Sequence, residues 1–353
     1  LKLLSRSALL LAVGALAIAV PATAQATLAF VRQPLHPVVW VAADNGKGAR
    51  KLVAGSNPHI SPDGQIVALL HQGEGPKAQP ELILAPADGS APPSRLVDGW
   101  RHPSVFAWSP DSKSVAAVLG PELGRQRLVL IDTVTGAQRT IARGFFSGVS
   151  FAPGGGALVY GRAASESFPS RSEVYRYDVR LPGMPNAQAP QLTQRLTADR
   201  RSGYPLWSPN GGIVFVRQLG AKRRRYGPKN ELFTMNLAGE RVRQLTHSKV
   251  GQLAQGLFPT AWSANGRRLL AQFEGQDLSY AVTVNGRTGA QRPLVEVAEQ
   301  GAVGTAVSAD GKFVLAWIGG FEPSPRHNVV RIPWGGGRQR ILARNAFEPD
   351  WSR

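Results

Sequence analysis

The chain contains no cysteine. That excludes disulfides, thiolate zinc sites and a diacylglyceryl anchor on a lipobox cysteine. Acidic residues are scarce: 23 Asp and Glu stand against 41 Lys and Arg, a formal net charge of +18 over 353 residues. No carboxylate pair is spaced for acid–base work. There is no Gly-x-Ser-x-Gly nucleophile elbow, no Walker-type phosphate loop, no His-Glu-x-x-His zinc motif and no Asp-x-Asp-x-Asp-Gly calcium loop. No motif therefore implies a cofactor. The longest apolar run, Ala8 to Val20, is shorter than the roughly 20 residues a spanning helix needs.

That run has a second meaning. Lys2 and Arg6 precede it, Pro21 breaks it, and Ala22-Thr23-Ala24 or Ala24-Gln25-Ala26 follows. A basic start, a short apolar core and an A-x-A site are the pattern of a secretory signal peptide over residues 1–26. The competing reading is a membrane anchor. No twin-arginine pair is present, so Sec export is expected. Residues 27–353 then form one domain, periplasmic or secreted, a monomer with no membrane span after cleavage.

What the sequence has in quantity is turn-formers, 39 Gly and 27 Pro, and a repeat. Tyr204-Pro205-Leu206-Trp207-Ser208-Pro209-Asn210-Gly211 is followed by the apolar run Ile213 to Val216. This reads as strand, turn and strand, with Asn210-Gly211 supplying the positive φ of a two-residue hairpin. The unit recurs at Ile60 to Gly64, Trp108 to Ser112, Phe151 to Gly155, Trp262 to Gly266 and Val307 to Gly311, and a shortened copy occurs at Pro349 to Arg353. A middle strand follows each copy, as at Leu82 to Leu84 and Leu232 to Met235. Each unit ends on a basic residue just before an aliphatic one, as in Arg95-Leu96, Arg243-Gln244-Leu245 and Arg292-Pro293-Leu294. A period of roughly 45–50 residues reads as a propeller or solenoid. The first unit lacks its inner strand and the last inner strand lacks its unit. The expected architecture is therefore an all-β, seven-bladed β-propeller with four-stranded blades. The C-terminal strand, near Phe347 to Ser352, pairs with Thr27 to Arg32 and closes the ring, which removes an exposed edge. Six blades is the alternative, with residues 27–53 packed elsewhere.

The repeated signature resembles the TolB-type, WD-like propeller repeats of bacterial envelope proteins, over about residues 27–353. The resemblance implies the propeller fold and an envelope context, and carries no binding residues. Two departures from TolB are expected: no α/β domain between the signal and the first blade, and seven blades rather than six. Similar repeats form the non-catalytic propeller of prolyl-oligopeptidase-type peptidases, but no hydrolase domain is expected after Arg353.

Large apolar types interchange at one repeat position, Ile60, Trp108, Phe151, Trp207, Trp262, Val307 and Trp351, as packing between blades permits. Asp63, Asp111, Asn210, Asn265 and Asp310 suit turn hydrogen bonds. The six histidines, His36, His59, His71, His102, His247 and His327, all map toward the face of the inter-blade crossovers. His59 and His102, expected to start neighbouring inner strands, are the best metal or catalytic pair; the opposing reading is that long loops collect such residues anyway. Most distinctive is Lys222-Arg223-Arg224-Arg225-Tyr226-Gly227-Pro228-Lys229, with Arg200-Arg201 in the preceding crossover. Arginine's planar fork matches phosphate and carboxylate, and clustered charge focuses the field. A solvated loop is the plain alternative. The expected partner is an envelope protein or an anionic polymer, with export arguing against intracellular nucleic acid. The competing function is a propeller lyase or hydrolase acting on an anionic polysaccharide through channel-mouth histidines.

Overall fold

In the computed structural model, the repeat unit begins at its turn. Ser61 Oγ donates to Asp63 Oδ1 (2.6 Å) and accepts from Ile66 N (3.0 Å), while Gln65 N donates to Asp63 Oδ1 (3.1 Å). The main chain adds Gly64 N to Ser61 O and Ser61 N to Ile66 O, both 2.8 Å. Matching bonds recur around Ser109 and Asp111, Ser263 and Asn265, and Ser308 and Asp310. The turn differs from a two-residue hairpin. Gly64 (φ 73°) and Gly211 (φ 84°) take the left-handed conformation, but Asp63 and Asn210 do not. One residue with positive φ suffices because Ser and Asp side chains close the rest of the loop. The copy at Ser208 is the shortest, with Ser208 N bonded to Gly212 O.

The structure describes residues 27–73, 80–97, 106–120, 125–164, 172–179, 192–220, 228–248, 254–275, 279–294, 301–319 and 327–352. These residues form antiparallel strands and no helix. The first strands are β1 (Thr27–Arg32), β2 (Val38–Ala43) and β3 (Arg50–Ala54), then β4 (Ser56–Ile60), β5 (Ile66–Gln72), β6 (Pro80–Pro86) and β7 (Ser94–Val97). Next come β8 (Phe106–Trp108), β9 (Ser114–Leu119), β10 (Gln126–Asp132), β11 (Gln138–Phe151), β12 (Ala157–Ala163), β13 (Ser172–Asp178) and β14 (Thr193–Arg195). They are followed by β15 (Ser202–Trp207), β16 (Ile213–Leu219), β17 (Lys229–Met235), β18 (Arg243–Gln244), β19 (Ala254–Trp262), β20 (Arg268–Gly275), β21 (Ser279–Asn285) and β22 (Gln291–Pro293). The chain ends with β23 (Ala302–Val307), β24 (Phe313–Ile318), β25 (Asn328–Pro333), β26 (Arg340–Arg344) and β27 (Phe347–Trp351).

Pairing groups them in fours. The first set runs β27-β1-β2-β3, the second β4-β5-β6-β7 and the last β23-β24-β25-β26. In between, β11 is shared: its first half pairs with β10 and its second with β12. A single parallel bridge, Asn230 to Gly256, links the set of β15 to β18 with the set of β19 to β22. β27 pairs antiparallel with β1, Leu28 opposite Trp351 and Val31 opposite Phe347.

Apolar clusters lie between successive sets. Val31, Val39 and Val41 pack with Val67, Leu69 and Ile83. Leu28, Phe30 and Trp351 pack with Ala306, Leu315 and Val329, so the last set meets the first. Trp207, Trp262 and Trp351 are buried in such clusters, and Trp108 packs against one. The interchangeable repeat position is thus a packing position. Truncating one such Trp is expected to cost about 3–5 kcal/mol.

The innermost strands share a feature the repeat did not announce. Register shifts fall at Ser56/His59, Ser147/Val149, Gly203/Leu206 and Gly304/Ala306. Asn57, Gly148, Tyr204 and Glu348 have positive φ, from 47° to 70°. A bulge of this kind bends the strand and aims side chains off the ladder.

Candidate functional site

The innermost strands β4, β8, β15, β23 and β27 are sheet edges, so some of their N–H groups have no ladder partner. Neighbouring side chains supply one. Asp350 Oδ2 accepts from Ile60 N (2.9 Å) and Glu348 Oε2 from Asn57 N (2.6 Å). Ser150 Oγ accepts from Trp207 N and Ser147 Oγ from Tyr204 N, each at 3.1 Å. Trp108 Nε1 donates to His59 O at 3.0 Å. Burial pushes the Glu348 carboxyl above the usual carboxylate range, and its bond from Asn57 only partly offsets this.

The crossover end carries two related networks. At the start of β13, Glu173 accepts from Thr197 Oγ1 (2.6 Å) and Arg200 N (2.9 Å). At the matching place in β17, the fully buried Glu231 accepts from Thr246 Oγ1 (2.5 Å), Ser248 N (2.7 Å) and Lys229 Nζ (2.5 Å). Lys229 also donates to Ser248 O. A buried carboxylate needs such partners to stay ionised. The sequence signal was present: Arg195-Leu196-Thr197 and Gln244-Leu245-Thr246 place Thr directly after the aliphatic that ends a unit.

These networks sort the sequence-derived basic residues. Lys229 is half-buried and engaged by Glu231. Arg200 and Arg201 are exposed; their main-chain N–H groups bond Glu173 and Asp199, so the side chains are presented from a fixed loop. Asp199 is paired to Arg217 at 2.6 Å. Lys222, Arg223, Arg224, Arg225 and Tyr226 lie outside the described residues, as do His102 and residues 1–26.

The histidines are placed differently from expectation. His59 is the fourth of the five residues of β4, opposite Ala68, rather than its first. His327 is buried against Trp317 and Phe347. His36 and His71, not paired by sequence reasoning, line one recess of about 740 Å³ between the first and second sets, with Leu35, Lys51, Ser56 and Gln72. Leu35 is 90% exposed at its rim. His71 Nδ1 bonds Ala54 O at 2.9 Å. A carbonyl only accepts, so Nδ1 is the donor in this bond and Nε2 is left as the second ring nitrogen. Among the described residues no three His, Asp or Glu side chains are grouped to hold a metal ion.

No family model matches the chain, and no curated protein matches it in sequence. Solved structures do match in fold. TolB from Acinetobacter baumannii is 17% identical over 94% of this chain and 68% of its own, with a TM-score of 0.53. A puromycin-hydrolyzing peptidase of Mycobacterium tuberculosis is 19% identical over 91% of this chain but 51% of its own length, TM-score 0.65. An oligogalacturonate lyase in complex with manganese is 15% identical over 90% and 84%, TM-score 0.57. At these identities the likeness is one of fold, and the fold is a TolB-type β-propeller.

Proposed function

We propose that the chain is a seven-bladed β-propeller closed by β27 against β1, exported to the bacterial envelope after loss of residues 1–26. There it serves as a non-catalytic scaffold that holds an envelope protein or anionic polymer on its crossover end. The carrying observation is the use made of the inner-strand acids. Asp350 and Glu348 are bonded to main-chain N–H groups of the next set, a structural duty that ties one set to the next. The four-strand sets and the clusters between them, the last set against the first included, support seven blades and closure. Arg200 and Arg201, exposed on a fixed loop, support an acidic partner, joined by Lys222 to Arg225 through sequence proximity to the neighbouring strand.

The test is co-sedimentation with envelope fractions as salt rises from about 0.05 to 0.5 M, where the Debye length falls well below 10 Å. Binding is expected to drop with salt, and to drop in the Arg200→Glu/Arg201→Glu and Arg223→Glu/Arg224→Glu/Arg225→Glu variants at low salt. Binding that is independent of salt and retained by both variants removes the basic face from the mechanism.

A lyase or hydrolase acting on an anionic polysaccharide is the second reading. The shared recess of His36 and His71 favours it, together with the manganese complex of the lyase that this fold matches. Stoichiometric manganese or zinc in the purified protein, lost in His71→Ala, would establish it over the scaffold.

A further inference from the structure

The opposite end of the molecule carries its own concentration of positive charge. One cleft, about 630 Å³, is lined by Asn210, Arg243, Arg267, Asn285 and Arg287. A second, about 460 Å³, is lined by Arg267, Arg268, Arg292, Gln291 and Trp334. Both volumes fall in the range of small-molecule sites. Arg267 belongs to both clefts, so they adjoin. They lie along the turns of three consecutive sets, those of β15–β18, β19–β22 and β23–β26. Neither lining contains a carboxylate.

We propose that this strip binds a linear polyanion, a chain with phosphate or carboxylate groups on successive units. Three features of the strip suit it to such a chain. First, Arg243, Arg267, Arg287 and Arg292 are exposed and form no ion pair with a described carboxylate, while Asp310 on the adjoining turn is taken by Lys312 at 3.3 Å. Second, two of the lining arginines, Arg243 and Arg268, are fixed. Arg243 Nη2 donates to Arg287 O (3.2 Å), Arg268 donates to Gly311 O, and the Arg268 guanidinium lies 5.5 Å from the Trp334 ring centre. A guanidinium already held loses less rotamer freedom on binding an anion. Third, like charges lining adjoining clefts repel, and an anion spanning both clefts relieves that repulsion at both sites at once. A chain rather than a single ion is implied because the two clefts share the wall residues Arg267 and Asn285. This site lies at the turn end and does not depend on the crossover-end reading.

The test uses three named probes with the full chain: polygalacturonate for carboxylate, long-chain inorganic polyphosphate for phosphate, and dextran as a neutral polymer. Binding is followed by calorimetry at about 0.05 M salt. At least one polyanion is expected to bind and dextran not to. Arg267→Glu should weaken that binding by on the order of tenfold and Arg267→Glu/Arg287→Glu further, with thermal melting unchanged because both side chains are exposed. Arg200→Glu/Arg201→Glu serves as the opposite-face control and should leave this binding intact. Which polyanion binds tells carboxylate from phosphate recognition. Failure of both polyanions to bind overturns the proposal. Equal binding by wild type and Arg267→Glu/Arg287→Glu, or loss in the Arg200→Glu/Arg201→Glu control alone, also overturns it.

Discussion

The two ends of the molecule are built by different rules. At the turn end one hydrogen-bonding scheme is repeated: Ser to Asp or Asn, and the amide two residues on back to the same acid or amide. The Lys312 amide and the Ser308 hydroxyl hold Asp310 below the usual carboxylate range, and each copy is local, with a buried or half-buried Ser and an exposed Asp or Asn. At the crossover end the networks differ from set to set. Glu231 gathers Thr246, Ser248 and Lys229, whereas the equivalent region of the next set uses Gln272, bonded to Ser279 Oγ, Ala302 O and Gly304 N. In the last set, Trp317, His327 and Phe347 pack there instead. Repetition marks a structural solution used many times. Variation marks the end where individual residues are free to be specified, and the arginine strip is the exception at the uniform end.

The sharpest way to break this picture is to remove β27, since it contributes to both ends. Deleting Phe347 to Trp351 uncovers β1, removes the buried Trp351 and strips Ile60 N and Asn57 N of their acceptors. The expected loss is several kcal/mol against a total of ~5–15 kcal/mol. Thermal melting unchanged by the deletion would contradict ring closure.

A smaller effect separates the ends directly. Glu231→Ala leaves Lys229, Thr246 and the Ser248 amide without their shared acceptor, and about 3 kcal/mol should be lost. Asp111→Ala at a turn removes bonds from Ser109 Oγ and Lys113 N, and should cost only about 1 kcal/mol because water replaces them. Chemical denaturation of the two variants gives the ratio. Equal losses would erase the distinction between the individual networks of the crossover end and the repeated ones of the turns.

The smallest effect is one of pH. Glu348 binds its proton more tightly folded than unfolded, because burial raises its carboxyl. The unfolded chain therefore releases that proton first. Stability from this group is present below the ordinary glutamate value, about 4.3, and is lost as pH rises through the raised folded value. Glu348→Gln keeps an oxygen for Asn57 N and removes the titration. The variant should gain relative to wild type in melting temperature as pH climbs from about 4 to 8. Parallel profiles would show that Glu348 is not strained by burial.

Much of the fold was legible because its signals are local. Positions of Gly, Asp and Ser set the turns, alternation set the strands, and Trp108, Trp207, Trp262 and Trp351 marked the packing position. The strand bounds Thr27–Arg32 and Val38–Ala43 follow from that pattern alone. The turn type did not, since Asn-Gly is compatible with several turns and the Ser side chain decides among them. The recess of His36 and His71 was not legible either. His36 lies in the turn between β1 and β2 and His71 on β5, and they meet only because the second set packs beside the first. Glu231 reads as one more acidic residue until the fold buries it beside Thr246. Arg243 and Arg292 were visible as the basic residue that closes a unit, but Arg267 and Arg287 belong to turns with no such rule.

The sequence by itself determined the β class, the repeat and the positive charge, because propensity, periodicity and composition act between near neighbours. Only the tertiary structure decided which charges are spent and which are open. Whether a lysine meets a buried glutamate, as Lys229 does, or an arginine faces solvent, as Arg267 does, depends on strands far apart in the chain that are brought together by packing.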